Sequence, residues 1–287
     1  MLNWGNFSSQ LFNGLVSGAL LALISAGLTI IYGTLGVLNL AHGALFMLGG
    51  YAGFVAYQST GSFVVAVVVG AVFVGLVGVI LERVLIRFFY ERPEEDQILV
   101  TFGLGIVLVE VVRAVFGSLT QNVPAPAWAA GVTSLGFMIY PTYRLLVFGI
   151  VAVALAALYL LLYRTRLGMV VRAGIEDPTM VDALGINIQR TFMIVFGIGA
   201  MAAGFAGIVN APIISITPNV GDDILIECFV VVIGGVGSFA GAIVGGVVAG
   251  EILSLTSMFN PSYSAVMLFA VMALVLVARP QGLFGTR

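Results

Sequence analysis

Nowhere before Glu82 does the sequence carry an Asp, Glu, Lys or Arg. One membrane-spanning helix needs roughly 20 apolar residues, so this stretch has room for several in series. The remainder continues in the same vein: hydrophobic residues make up 61% of the 287 and charged residues 8%, with a mean hydropathy of +1.16. Water-soluble domains hold about 25% charged residues, and a folded surface in water has to expose much of what its chain contains. The bilayer is therefore the solvent. The expected fold is an all-α polytopic membrane protein, one transmembrane domain over 1–287, with no room for a soluble one.

The opening MLNWGNFSSQ is neutral and polar, without the basic region that begins a cleaved signal peptide, so the first apolar helix is expected to be retained. Cys228 is the one cysteine and His42 the one histidine. That excludes an internal disulfide framework, a Cys-rich or His-based metal site, and paired-histidine catalysis. The net charge of −2 is uninformative about partners.

Apolar runs place candidate spans at about 11–32, 44–58, 62–82, 97–116, 144–163, 191–210 and 262–279, with a Gly-interrupted stretch at 223–256. Every basic residue is Arg, and they cluster: Arg83, Arg87 and Arg92 in one loop, Arg164, Arg166, Arg172 and Arg190 in another, Arg279 and Arg287 at the end. Positive residues in short loops mark the cytoplasmic side. The N-terminus and the uncharged, Pro- and aromatic-containing loop 117–143 then fall outside, and the C-terminus inside. Parity holds if 223–256 crosses twice, as a hairpin turning near Gly234–Ser238. The expected count is eight or nine spans.

Two features depart from generic span sequence. The first is a pair of interrupted Gly-rich stretches, GVLNLAHGALFMLGGYAG (36–53) and VIGGVGSFAGAIVGG (232–246). Glycines allow close helix approach, and Gly241–Gly245 and Gly246–Gly250 have the small-xxx-small spacing for it. Alternatively both helices break inside the bilayer, as in transporters that expose backbone groups to substrate at matching places in two halves. On that reading Asn39, His42 and Gly43, and Gly234, Gly235, Gly237 and Ser238, are candidate pathway residues.

The second is the Arg-rich loop YRTRLGMVVRAGIEDPTMVDALGINIQR (163–190). Asp177 followed by Pro178 is a helix start, an N-cap acceptor before a residue preset for the first turn. Gly185 suits the position that ends the helix. A short helix over about 178–184 would present Met180, Val181 and Leu184 outside the membrane, to a groove on a partner or to lipid headgroups. The acids Glu176, Asp177 and Asp182 argue against anionic lipid.

Isolated polar residues read more plainly. Glu110 and Arg113 are spaced to pair on one helix. Glu227 and Glu251 are apolar-flanked acids, candidates for the pathway. The Glu91–Asp96 run reads as a solvated cytoplasmic loop.

GLTIIYGTLGVLNLAHGALFMLGGY (27–51), RAGIEDPTMVDALGI (172–186), GGVGSFAGAIVGG (234–246) and RPQGLFG (279–285) together resemble the LivH-type permease subunits of branched-chain amino acid ABC importers. The third piece is shared with related sugar permeases. The resemblance implies an ABC importer permease fold in a bacterial inner membrane. It makes Arg172, Asp177, Asp182, Ala183 and Gly185, with Glu176, Met180 and Leu184 beside them, the segment that contacts the ATPase. It implies as partners a second, related permease subunit in a heterodimer, two ATP-binding subunits and a soluble substrate-binding protein, and no nucleic acid. Without a single Lys there can be no Walker A motif (G-x-x-x-x-G-K-[ST]). The chain is therefore expected to be non-catalytic and without a cofactor of its own, ATP and magnesium being held by partners. The implied cargo is leucine, isoleucine and valine, or, as in relatives, other amino acids, urea, amides or aromatic acids. A secondary carrier or channel would need intramembrane acids or an ion site, in which the sequence is poor. An intramembrane protease would need a Ser–His pair or facing Asp residues that the spans do not supply.

Overall fold

The structure, a computed structural model, describes residues 4–136, 138–234 and 238–279. Helices α1 (Trp4–Leu35), α2 (His42–Thr60), α3 (Phe63–Val84) and α4 (Glu94–Phe116) precede a long connection. In that connection β1 (Val132–Ser134) and β2 (Ile139–Pro141) pair antiparallel, Thr133 opposite Tyr140. Then follow α5 (Thr142–Arg164), α6 (Arg166–Glu176), α7 (Pro178–Ala183), α8 (Ile188–Asn210), α9 (Val220–Gly234), α10 (Phe239–Phe259) and α11 (Ser264–Ala278). Among the described residues seven helices are long and apolar enough to cross a membrane: α1, α3, α4, α5, α8, α10, and α11 with the turn before it. Of the other helices, α2 (19 residues) packs on α3 and α8, and α9 (15 residues) on α1, α2 and α10.

Local chemistry sets the helix ends. Gly61, at φ +67°, ends α2 in the left-handed conformation that glycine tolerates. Ser62 then caps α3 by accepting from the Val65 N–H at 3.5 Å. Glu94, Glu95 and Asp96 occupy the first turn of α4, where carboxylate charge meets the positive helix end. The Glu91–Asp96 run is thus half helix, not all loop. The small β-hairpin is a second departure from an all-helical expectation.

The core is organised around α1, which is buried along most of its length and packs on α10 and α8, and more briefly on α5 and α9. Helix association in lipid depends on van der Waals fit, so interfaces use small residues. A Cβ at Gly246 or Gly250 would strike the α1 backbone at Ala22 and Gly18. The same tightness recurs between α2 and α8, where Gly49 meets Gly204 and Gly207 meets the Phe46 carbonyl. The packing reading of Gly246–Gly250 therefore holds, and Gly245 contacts Val231 of α9. In contrast α3, α4, α5 and α11 turn large apolar side chains outward, among them Leu76, Leu99, Val153 and Leu274. A lipid-facing surface has this composition.

Candidate functional site

The first Gly-rich stretch is a true interruption. Gly36 (φ +66°) closes α1, its N–H donating to the Tyr32 carbonyl at 2.9 Å. The chain then runs without helical bonds until α2 begins at His42. His42 Nε2 donates to the Ile24 carbonyl at 3.0 Å. Ile24 lies roughly 16 Å along α1 from Leu35 at 1.5 Å per residue. The segment has therefore doubled back, and α2 starts deep in the bundle. Asn39 organises the turn: its Oδ1 accepts from the Ala41 N–H at 3.1 Å and its carbonyl from the His42 N–H at 3.2 Å. Thr101 of α4 clamps the outer side, accepting from the Leu40 N–H at 3.1 Å and lying 3.0 Å from the Leu38 carbonyl. Asn39 and His42 are fully buried, and Asn39 Nδ2 and His42 Nδ1 have no partner. Gly43 touches Gly221 backbone to backbone, bringing the starts of α2 and α9 together.

In the second stretch, α9 ends at Gly234 and α10 begins after Ser238, which caps it by accepting from the Gly241 N–H at 3.1 Å. The expected break falls on residues outside those described. Gly235, Gly237, the side chain of Glu227 and the C-terminal PQGLFG lie outside the described residues. Glu251, on α10, is packed against Gly14 with neither carboxyl oxygen partnered.

A cavity of about 540 Å³ is lined in part by Arg144, at the end of the 117–143 connection, and by Ile213 and Ile214 of the 211–219 connection. Helix α1 lines it with a stripe, Gln10, Asn13, Ser17, Leu21 and Ile24, that passes from polar to apolar with depth. Asn210, Asp223, Leu253 and Ser254 face that stripe, and Arg144 enters from the start of α5. Ser254 Oγ donates to the Gln10 carbonyl at 2.6 Å, tying α10 to α1. Arg144 Nη1 donates to Asn13 Oδ1, which also accepts from the Tyr140 hydroxyl at 2.8 Å. Asn39, His42, Gly43 and Ser238 do not line this cavity. The signal for it in the sequence was the i, i+3, i+7 spacing of Gln10, Asn13 and Ser17, an uncommon polar stripe at the start of an apolar helix. Nearby, Arg113 pairs with Glu110 as their spacing suggests and donates to Asn219 at 2.9 Å.

At the opposite end, α6 and α7 form a bracket on the bundle. Asp177 caps α7: its Oδ1 accepts from the N–H groups of Thr179 and Met180, each at 3.0 Å, and from the Thr179 hydroxyl at 2.5 Å. These bonds, the Thr179 hydroxyl first, hold its carboxyl below the usual range. Gly185, at φ +80°, ends the helix. Its N–H donates to the Asp182 carbonyl at 2.9 Å and the Ile186 N–H to the Val181 carbonyl at 3.3 Å, a Schellman closure. Glu176, Asp182 and Ala183 are exposed, as are Met180 and Leu184, one turn apart. Val181, expected on the same face, is buried instead at 4% exposure and anchors the helix. Arg172 is exposed but folds back along the bundle: its guanidinium donates to the Leu162 carbonyl and lies over the Tyr163 ring, 5.5 Å from its centroid. Helix α6 was expected as loop. Thr165 caps it, accepting from the Gly168 N–H at 3.3 Å, and Gly168, Val171 and Gly174 form its buried face.

The sequence profile of the family described as "Branched-chain amino acid transport system / permease component" matches residues 10–276. The high-affinity branched-chain amino acid transport system permease protein LivH of Escherichia coli is 31% identical over 97% of this chain and 96% of that protein. The corresponding protein BraD of Pseudomonas aeruginosa is 30% identical over 98% of this chain and 96% of its own length. LivM of E. coli, also named a permease protein of that system, is 26% identical over 91% of this chain and 67% of its own.

Proposed function

Since the chain belongs to the family of branched-chain amino acid transport permease components, we propose that it forms half of the membrane pathway of an ATP-driven importer for branched-chain or related amino acids. The match over residues 10–276 carries this reading. The structure supports it at both ends of the bundle. One end holds a cavity of a size suited to a small solute. The other holds a helix closed at both termini whose exposed face is Met180 and Leu184, ringed by Glu176 and Asp182. Such a face suits a groove on a partner protein. The chain would be non-catalytic and hold no cofactor, with ATP and magnesium on two partner subunits.

A second permease subunit of related sequence would complete the pathway, a pairing that the similarity to both LivH and LivM supports. A soluble binding protein would deliver the amino acid on the outer face. The cavity end then lies outside a bacterial inner membrane with the N-terminus, and α6, α7 and the C-terminus lie in the cytoplasm. The re-entrant break at Asn39, His42 and Gly43, and the α9–α10 junction at Gly234–Ser238, would form the inner part of the pathway. Closure of the ATPase pair moves α7 and switches the bundle between inward- and outward-open states. The test is uptake of labelled leucine into proteoliposomes holding the whole assembly. Uptake is expected to need ATP and to vanish when 176–185 is scrambled. Transport by this chain alone would overturn the reading in favour of a carrier.

A further inference from the structure

Arg144 and Asp223 face one cavity from different elements, the first turn of α5 and the first turn of α9. They form no ion pair with each other; the ion pair among the described residues is Arg113 with Glu110. We propose that this cavity is the acceptance site for a zwitterionic amino acid with an apolar side chain, Arg144 taking its carboxylate and Asp223 its ammonium. The proposal deepens the import reading and rests on it.

The Arg144 guanidinium is positioned before any ligand arrives. Asn13 Oδ1 accepts from one Nη1–H and is itself fixed by the Tyr140 hydroxyl at 2.8 Å. The guanidinium also bonds to the Tyr140 hydroxyl, and the donors left over on the planar fork have the geometry that matches a carboxylate. Asp223, exposed in the first turn of α9, receives no hydrogen bond from the described protein groups. The deeper lining of the same cavity includes the apolar Leu21 and Ile24, with Ile213 and Ile224 also on its wall. Opposite charges left apart beside apolar surface gain most from a ligand that carries both complements. A monocarboxylate satisfies Arg144 alone, an amine Asp223 alone, and a neutral amide neither, whereas an aliphatic amino acid also fills the apolar wall.

Two measurements test this. In the proteoliposome assay Asp223→Asn and Arg144→Gln should each lower leucine uptake roughly tenfold to hundredfold, the effect of losing one charged hydrogen bond. Arg144→Lys should recover part of the loss, and Arg113→Gln, outside the cavity, should keep uptake. Independently, Ser17→Cys in the assembly without binding protein is labelled by a cationic thiosulfonate. Leucine should slow that labelling more than 4-methylpentanoate, which lacks the ammonium, or isopentylamine, which lacks the carboxylate. In Asp223→Asn the advantage of leucine over 4-methylpentanoate should disappear. Uptake within about twofold of the unsubstituted assembly in both variants, or equal protection by all three probes, overturns the site. Absence of ATP-dependent leucine uptake in the unsubstituted assembly overturns the import reading instead, and the protection pattern still decides the site.

Discussion

Glu82, the first charged residue of the chain, is only 2% exposed and accepts a hydrogen bond from the Tyr90 hydroxyl at 2.6 Å. Burial, reinforced by that bond, pushes the Tyr90 phenol above its ordinary value, so the hydroxyl keeps its proton and the bond is insensitive to pH near neutrality. Tyr90→Phe leaves a buried carboxyl oxygen without its donor and should cost about 1–3 kcal/mol, read as a lower midpoint in thermal unfolding of the purified assembly. Glycines divide just as sharply by contact. Gly49→Ala places a methyl on the Gly204 backbone and should lower folded yield, whereas Gly149→Ala meets open space and should be silent. Composition alone ranks these two glycines equally.

At the scale of elements, α7 is the clearest case of local encoding. Asp177, Pro178 and Gly185 start and stop it within nine positions of chain, and each acts where it was expected to. Asp177→Ala should weaken the helix by removing its N-cap, detectable as faster amide exchange over α7 and as ATP hydrolysis no longer tied to uptake. Because the folded carboxyl titrates below its ordinary 3.8, this contribution is complete above that pH and fades as the pH falls through the lower folded value. Legibility ended where a partner far along the chain decides the outcome. Val181 reads as a surface residue on a short helix, yet α6 and α8 lie against α7 and cover it. Helix α6 was hidden by Gly168 and Gly174, which lower helix propensity but let its buried face sit against the Leu162 carbonyl and Ile188. The re-entrant turn was legible because Asn39 and His42 interrupt an apolar run. Of the large cavity only the polar stripe on α1 had a sequence signal, since its other walls come from segments as distant as Ser264.

For the whole molecule, the orientation inferred from the Arg clusters has a direct test. Leu119, in the 117–143 connection, and Leu184, beside α7, are both strongly exposed. A membrane-impermeant thiol reagent added to intact cells should modify Leu119→Cys and reach Leu184→Cys only after permeabilisation. The reverse pattern would invert the bundle. Placement of α1 also governs how the chain is made. It leaves the ribosome well before α10, yet the ridge at Gly14 and Gly18 is completed by Gly246 and Gly250 of that later helix. Until α10 arrives, α1 waits in lipid with its small-residue face unpaired. Chains that stop before α10 should therefore insert but fail to mature, and should be cleared by membrane quality control even though most of the spans are present.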